Sequence, residues 1–229
     1  TNIPFAIKTI KAAAERDPNA AARLEESCKK ILRFKYRIGL NHYKPASTAN
    51  LMADLKKQEY KDLRQQLYDE AITVLRNEGQ VIPLKKSKKI AVVTIGNTKN
   101  DVYNGLAEKG LNIKSFVVKK EDIASKSAEW LKTLESYDLV MVSIEKTTMF
   151  ANQNYGINDG TVKFFNRLAA QNDVILNLFA CPYALDLFRL NNSVKGIVVA
   201  YQDEVPAVNA VVKLLLGEME AVGTLPVSV

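Results

Sequence analysis

Ile90-Ala91-Val92-Val93-Thr94-Ile95-Gly96-Asn97-Thr98-Lys99-Asn100-Asp101 is the stretch that decides the fold. Its first six residues are apolar apart from Thr94, and most are β-branched. A strand buried on both faces reads this way, whereas a strand with one wet face alternates. Gly96 breaks the run, and a polar turn leads into a helical pattern at Asp101. Three further apolar runs follow the same grammar: Leu139–Ile144, Val174–Phe179 and Gly196–Tyr201. A less apolar one lies at Ile113–Val118. Between the runs stand helical patterns near Asp101–Lys109, Ala128–Tyr137, Asp159–Gln171 and Glu204–Leu216, with a short one near Ala184–Leu190. Gly217 is placed to stop the last long helix. Strand–helix alternation implies parallel strands, right-handed crossovers and helices on both faces. The predicted class is therefore α/β: a three-layer α/β/α sandwich on a five-stranded parallel sheet, order 2-1-3-4-5.

Upstream of residue 90 the pattern is helical. Asp17-Pro18 is a start signal, a capping side chain followed by proline at the first helical position. Leu24, Cys28, Ile31, Leu32 and Ile38 follow at helical spacing, and Gly39 is placed to end the run. Asn41 to Ser47, with Pro45, reads as a linker. A second helical pattern is expected from Thr48 to Gly79, with Leu51, Leu55, Leu63, Leu67, Ala71, Val74 and Leu75 on one face. The expected division is 1–47 for terminal helices and linker, 48–89 for a long connecting helix and linker, and 90–229 for the sandwich.

Charge divides at the same place. Residues 1–89 hold 19 Lys+Arg and 10 Asp+Glu, net +9, and residues 90–229 hold 13 and 15, net −2. The basic residues alternate with acids, as in Lys56-Lys57-Gln58-Glu59-Tyr60-Lys61-Asp62. That is a solvated helix face rather than a basic stripe for nucleic acid, so no nucleic-acid partner is expected. No apolar run approaches the ~20 residues of a membrane span. The two cysteines, Cys28 and Cys181, are far apart and are expected as buried free thiols. With His42 as the single histidine, no histidine-based metal cluster can form. A nucleophile–histidine device would have to use His42. Neither a metal nor a cofactor is expected.

Ligands of such a sheet bind beyond the carboxyl ends of its strands. Gly96-Asn97-Thr98, before a helix, resembles the phosphate loop of flavodoxins, which supports a free-standing flavodoxin-like binding module as the alternative function. Ile95, however, stands where that loop carries further hydroxyls. The loop from Glu145 to Asn158 is the longest. Glu145 could act as a general acid if buried beside a substrate. Otherwise it is a surface carboxylate paired with a nearby lysine. Cys181 lies at the same edge without a partner base.

Three stretches resemble one family. Ile7 to Leu40, with Leu24-Glu25-Glu26-Ser27-Cys28-Lys29-Lys30-Ile31-Leu32 and Gly39-Leu40, is similar to the last barrel helices of family 3 glycoside hydrolases. Ala71-Ile72-Thr73-Val74-Leu75-Arg76-Asn77-Glu78-Gly79 through Ile82-Pro83-Leu84 resembles that family's approach to its second domain. Cys181-Pro182-Tyr183-Ala184-Leu185, Val199-Ala200-Tyr201-Gln202-Asp203 and Gly223-Thr224-Leu225-Pro226-Val227 resemble later second-domain motifs. The Pro-Tyr-Ala-Leu segment is most similar to the β-N-acetylhexosaminidase branch. The resemblance implies the end of a catalytic barrel plus the C-terminal α/β domain of a retaining glycosidase. The nucleophile and the His–Asp acid/base of that branch would lie in a barrel outside this sequence, so this segment alone is expected to be inactive. The partners implied are that barrel and a carbohydrate substrate. A periplasmic or secreted setting fits the family. Glu145 is the one weak catalytic candidate, matched by position only. The substrate-cleft candidates are Asn97, Lys146, Asn154, Tyr183, Tyr201 and Asp203.

Overall fold

The computed structural model describes residues 2–228; Thr1 and Val229, the outer limits of the expected first and last segments, lie outside the described residues. The chain divides into two compact units, a helical one ending at Leu55 and a sheet unit beginning at Lys56.

In the helical unit, α1 (Ile3–Arg16) is capped by the Asn2 side chain, and α2 (Pro18–Arg37) by the Asp17 carboxylate accepting from Asn19 N–H. Gly39 ends the run with φ +82°, a left-handed conformation that glycine adopts without a Cβ clash. After a short turn comes α3 (Leu51–Leu55). The helical periodicity is as expected, yet none of residues 2–55 is buried. Ile3, Phe5, Ile7, Ile31, Leu32 and Phe34 are each more than half exposed. Cys28 is exposed too, which corrects its expected burial, and Cys181 is half-buried. The periodic face holding Cys28 is not a core face within this unit.

In the sheet unit, α4 (Gln58–Ala71) leads into β1 (Thr73–Asn77). This corrects the long helix expected from Thr48 to Gly79. That pattern breaks into α3, α4 and a strand, and Val74 and Leu75 belong to the strand. Gly79 sits in a turn after it, with φ +66°. The remaining elements are β2 (Ile90–Ile95), α5 (Asp101–Leu106), β3 (Ile113–Val118), α6 (Ile123–Leu134), β4 (Leu139–Ile144), α7 (Asp159–Gln171), β5 (Val174–Leu178), β6 (Val194–Val199) and α8 (Val205–Leu216). Strand order is β1-β6-β5-β4-β2-β3. The five strands β2 to β6 are parallel in the expected order. The sheet has six strands rather than five, because β1 adds antiparallel to β6.

Sheet alternation sorts the core. Ala91, Val93, Ile95, Val142 and Ile144 face α6 and α7, where Phe164, Phe165 and Leu168 pack. Ile90, Val92, Met141 and Val198 face α5 and α8. The α8 helix in turn holds α4: Lys213 Nζ lies 2.6 Å from Asp69, and Arg64 2.9 Å from Glu204. Arg76 ties β1 down by donating to the carbonyls of Asn191 (2.8 Å) and Val194 (3.0 Å). The closing Gly-Thr-Leu-Pro segment returns to the start of the unit. A side chain on Gly223 would run into the carbonyls of Ala71 and Ile72, while Leu225 packs on the core.

Asn77 fixes the turn after β1 by donating to the Ile82 carbonyl (2.8 Å) and accepting from Ile82 N–H (3.0 Å). Asn77→Ala removes both bonds and leaves the Ile82 amide unpaired. We expect a loss of about 1–3 kcal/mol in urea unfolding.

Candidate functional site

The carboxyl ends of β2, β4, β5 and β6 carry the candidate residues. Glu145 directly follows β4, and its N–H bonds to the Ile95 carbonyl (3.0 Å), continuing the sheet ladder. Only 1% of its surface is exposed, so the surface-carboxylate alternative does not hold. Asn97, on the loop after β2, donates from Nδ2 to Glu145 Oε2 at 2.6 Å, while Glu145 Oε1 has no hydrogen-bond partner among the described residues. Burial pushes the Glu145 carboxyl up to about 7; Asn97 opposes this, the Asp203 and Asp101 charges add to it, and Lys146 opposes. A carboxyl tuned to that range can give or take a proton near neutrality. The buried residues Thr94, Ser143 and Asn177 stand side by side on three strands. Ser143 lies two positions before Glu145, so this polar seam leads up to it.

Lys146 and Asp203 form the exposed side of the cluster, Nζ to Oδ2 3.0 Å, and Lys146 N–H also donates to Asp203 (3.2 Å). Burial alone would raise the Asp203 carboxyl, but the Lys146 ammonium and amide outweigh it and hold it below the usual carboxylate range. Asp203, first by its hydrogen bond and then by its charge, raises the Lys146 ammonium in return. Tyr201 turns inward with φ +64°, and its hydroxyl lies 2.8 Å from Thr73 Oγ1, a hydrogen bond in which either group can donate. Asn97, Glu145, Lys146 and Asp203 are thus brought together, with Tyr201 beside them. Asn154 is exposed on the turn Ala151–Gly156, and Tyr183 is 45% exposed on the turn Pro182–Leu187. Among the described residues, neither side chain bonds to the cluster.

A cleft of about 400 Å³ opens at this edge, lined by Thr147, Thr148, Met149, Cys181, Tyr201 and Asp203 among others. Glu145 does not line it. Sequence reasoning missed Lys120, from the turn after β3. Its ammonium donates to the carbonyls of Lys146 (2.8 Å) and Gly156 (2.9 Å). Burial pushes Lys120 down, against the pull of Asp203. The two adjacent lysines, Lys119-Lys120, were the only signal, and they do not say which turns inward. Thr147, whose hydroxyl donates to the Phe179 carbonyl (2.7 Å), was likewise unforeseen.

The flavodoxin-like alternative fares poorly at the same loop. Gly96 N–H is taken by the Val118 carbonyl, and Thr98 N–H by Asn97 Oδ1. Two of the amides that a phosphate could use are thus spent within the chain. Among the described residues, no group of three or more His, Cys, Asp or Glu could hold a metal ion, and no helix is long and apolar enough to cross a membrane.

Comparison with known proteins places this edge in context. The family description "Glycosyl hydrolase family 3 C-terminal domain" matches residues 72–229. No curated protein matches the chain. Among solved structures, a family 3 beta-N-acetylglucosaminidase from Paenibacillus sp. str. FPU-7 superposes with TM-score 0.67 at 20% identity, over 90% of this chain and 39% of that one. A beta-glucoside phosphorylase gives 0.63 at 19%, over 89% and 38%. A beta-glucosidase from Listeria innocua, in complex with gluconolactone, gives 0.64 at 17%, over 93% and 32%. At such identities the likeness is one of fold, and the chain spans about two-fifths or less of the length of these three proteins. The family model spans more than half of the chain and covers the whole sandwich, and the chain belongs to the glycosyl hydrolase family 3 C-terminal domain family.

Proposed function

We propose that this chain is the non-catalytic C-terminal part of a glycoside hydrolase that removes terminal β-linked sugars, N-acetylhexosamine foremost, by a retaining mechanism. The catalytic residues belong to a barrel domain outside this sequence. The observation that carries the proposal is the helical unit. It displays Phe5, Ile7, Ile10, Ile31, Leu32 and Phe34 to solvent, and none of its described residues is buried. So many large apolar side chains left in solvent on two helices are what an interaction face supplies. A catalytic barrel in the same protein is the partner that the family supplies. In this reading the carboxyl edge of the sheet, with Asn97, Lys146, Tyr201 and Asp203, contributes one wall of a substrate cleft that the barrel completes, with Asn154 and Tyr183 farther out. The beta-N-acetylglucosaminidase among the similar structures supports the choice of sugar.

The test is an assay of the full chain on an aryl N-acetyl-β-glucosaminide. The expected result is no turnover above the uncatalysed rate. Robust turnover would place the catalytic groups within these residues and overturn the proposal.

A further inference from the structure

Lys146, directly after Glu145, has φ +52°. A residue with a Cβ is strained in the left-handed region, so its surroundings must hold it there. Three contacts do so. Its N–H and its ammonium both bond to Asp203, and its carbonyl accepts from Lys120. Asp203 comes from the loop after β6 and Lys120 from the turn after β3, on opposite sides of β4 in the sheet order. Lys120 reaches Lys146 across the end of β2, where Gly96 leaves room. A Cβ on Gly96 would lie 2.7 Å from Lys120 Cε and 2.5 Å from the Glu145 carbonyl. The same ammonium bonds to Gly156, at the far end of the loop. One cation therefore ties both ends of the segment 146–156. Asn154 and Tyr155 within it are also left-handed, at φ +47° and +56°.

We propose that Lys120 and Asp203 are positioning residues, a two-sided clamp that holds Lys146 in its left-handed conformation and so keeps the 146–156 loop closed and Glu145 shut away from water. The clamp stands whether or not the edge binds a sugar.

The groups facing the Glu145 carboxyl are Asn97 and Asp101 from the loop and helix after β2, Lys146 from its own loop, and Asp203 from the loop after β6. Lys120 faces Asp203 and the two loop carbonyls. The experiment follows the carboxyl carbon of Glu145 by NMR across pH, in the full chain and in Lys120→Met. If Lys120 is a clamp, removing it admits water, and the Glu145 midpoint falls from about 7 toward 4.5, tenfold or more in proton affinity. If Lys120 acts only as a nearby positive charge, its removal leaves the midpoint unchanged or moves it upward, and either result overturns the clamp. Amide exchange at Thr148 and Ile157, both bonded within the loop, is measured alongside and is expected to accelerate. Should Lys120→Met not fold, Lys120→Gln carries the same test with one neutral donor retained. Glycosidase activity plays no part in these readouts, so the clamp and the proposed function fail separately.

Discussion

Glu145→Gln is expected to remove a downward slope in stability between about pH 4.5 and pH 7. The ordinary value for this carboxyl is 4.5, and burial lifts it to about 7 in the fold. Between those values the folded chain holds a proton that the unfolded chain has released. Where the folded state binds more protons, stability falls as pH rises. The stability is therefore fullest below about 4.5, is lost up to about 7, and changes little from this source above that. Each tenfold change in proton affinity is worth about 1.4 kcal/mol, so the whole displacement amounts to roughly 3 kcal/mol. Glutamine keeps the oxygen that accepts from Asn97 and carries no charge to desolvate. Urea unfolding at pH 5 and pH 8 should show the variant flatter than the parent, and more stable than it at pH 8 by up to roughly 3 kcal/mol. Equal slopes in the two proteins would mean that the carboxyl is hydrated after all.

Phe165→Ala should be the costliest single change in the core. Phe165, on α7, is fully buried against the sheet, and its ring meets Phe188 edge-on at 5.0 Å between centroids. Truncating a buried phenylalanine loses its transfer energy and leaves a cavity that the close-packed surroundings fill only in part, about 3–5 kcal/mol. Phe34→Ala is the matched comparison. That ring is 60% exposed on α2, and its loss should stay within about 0.5 kcal/mol. Guanidinium unfolding of the two variants separates a core residue from an exposed one. A cost below about 1 kcal/mol at Phe165 would show that α7 is not the rigid layer described here.

Much of the sheet was legible because burial on both faces leaves a local trace. The runs at Ile90–Ile95 and Leu139–Ile144 are apolar at almost every position, and only an interior strand needs that. Thr73–Asn77 was not legible. Ala71, Val74 and Leu75 continue the helical spacing of Leu63 and Leu67, while Thr73 and Val74 suit a strand equally well. What settles the matter is β6, more than a hundred residues away, which offers an open edge to pair with.

The candidate cluster divides in the same way. Glu145, Asn97, Lys146 and Asp203 were foreseeable as residues at the carboxyl edge, since strand order alone fixes which loops meet there. Whether Glu145 would be wet or dry was not. Neighbouring lysines in the sequence pointed to a surface ion pair. In the fold Lys146 turns to Asp203 instead, and Asn97 takes the carboxylate.

By itself, then, the sequence determined the α/β class, the order of the five parallel strands and the family, because hydrophobic period and short motifs are local properties of the chain. Only the tertiary structure decided the sixth strand, the burial of Glu145, the reach of Lys120 over Gly96 and the bareness of the first two helices. Each depends on which distant groups come to lie within a few ångströms, and no spacing along the chain encodes that.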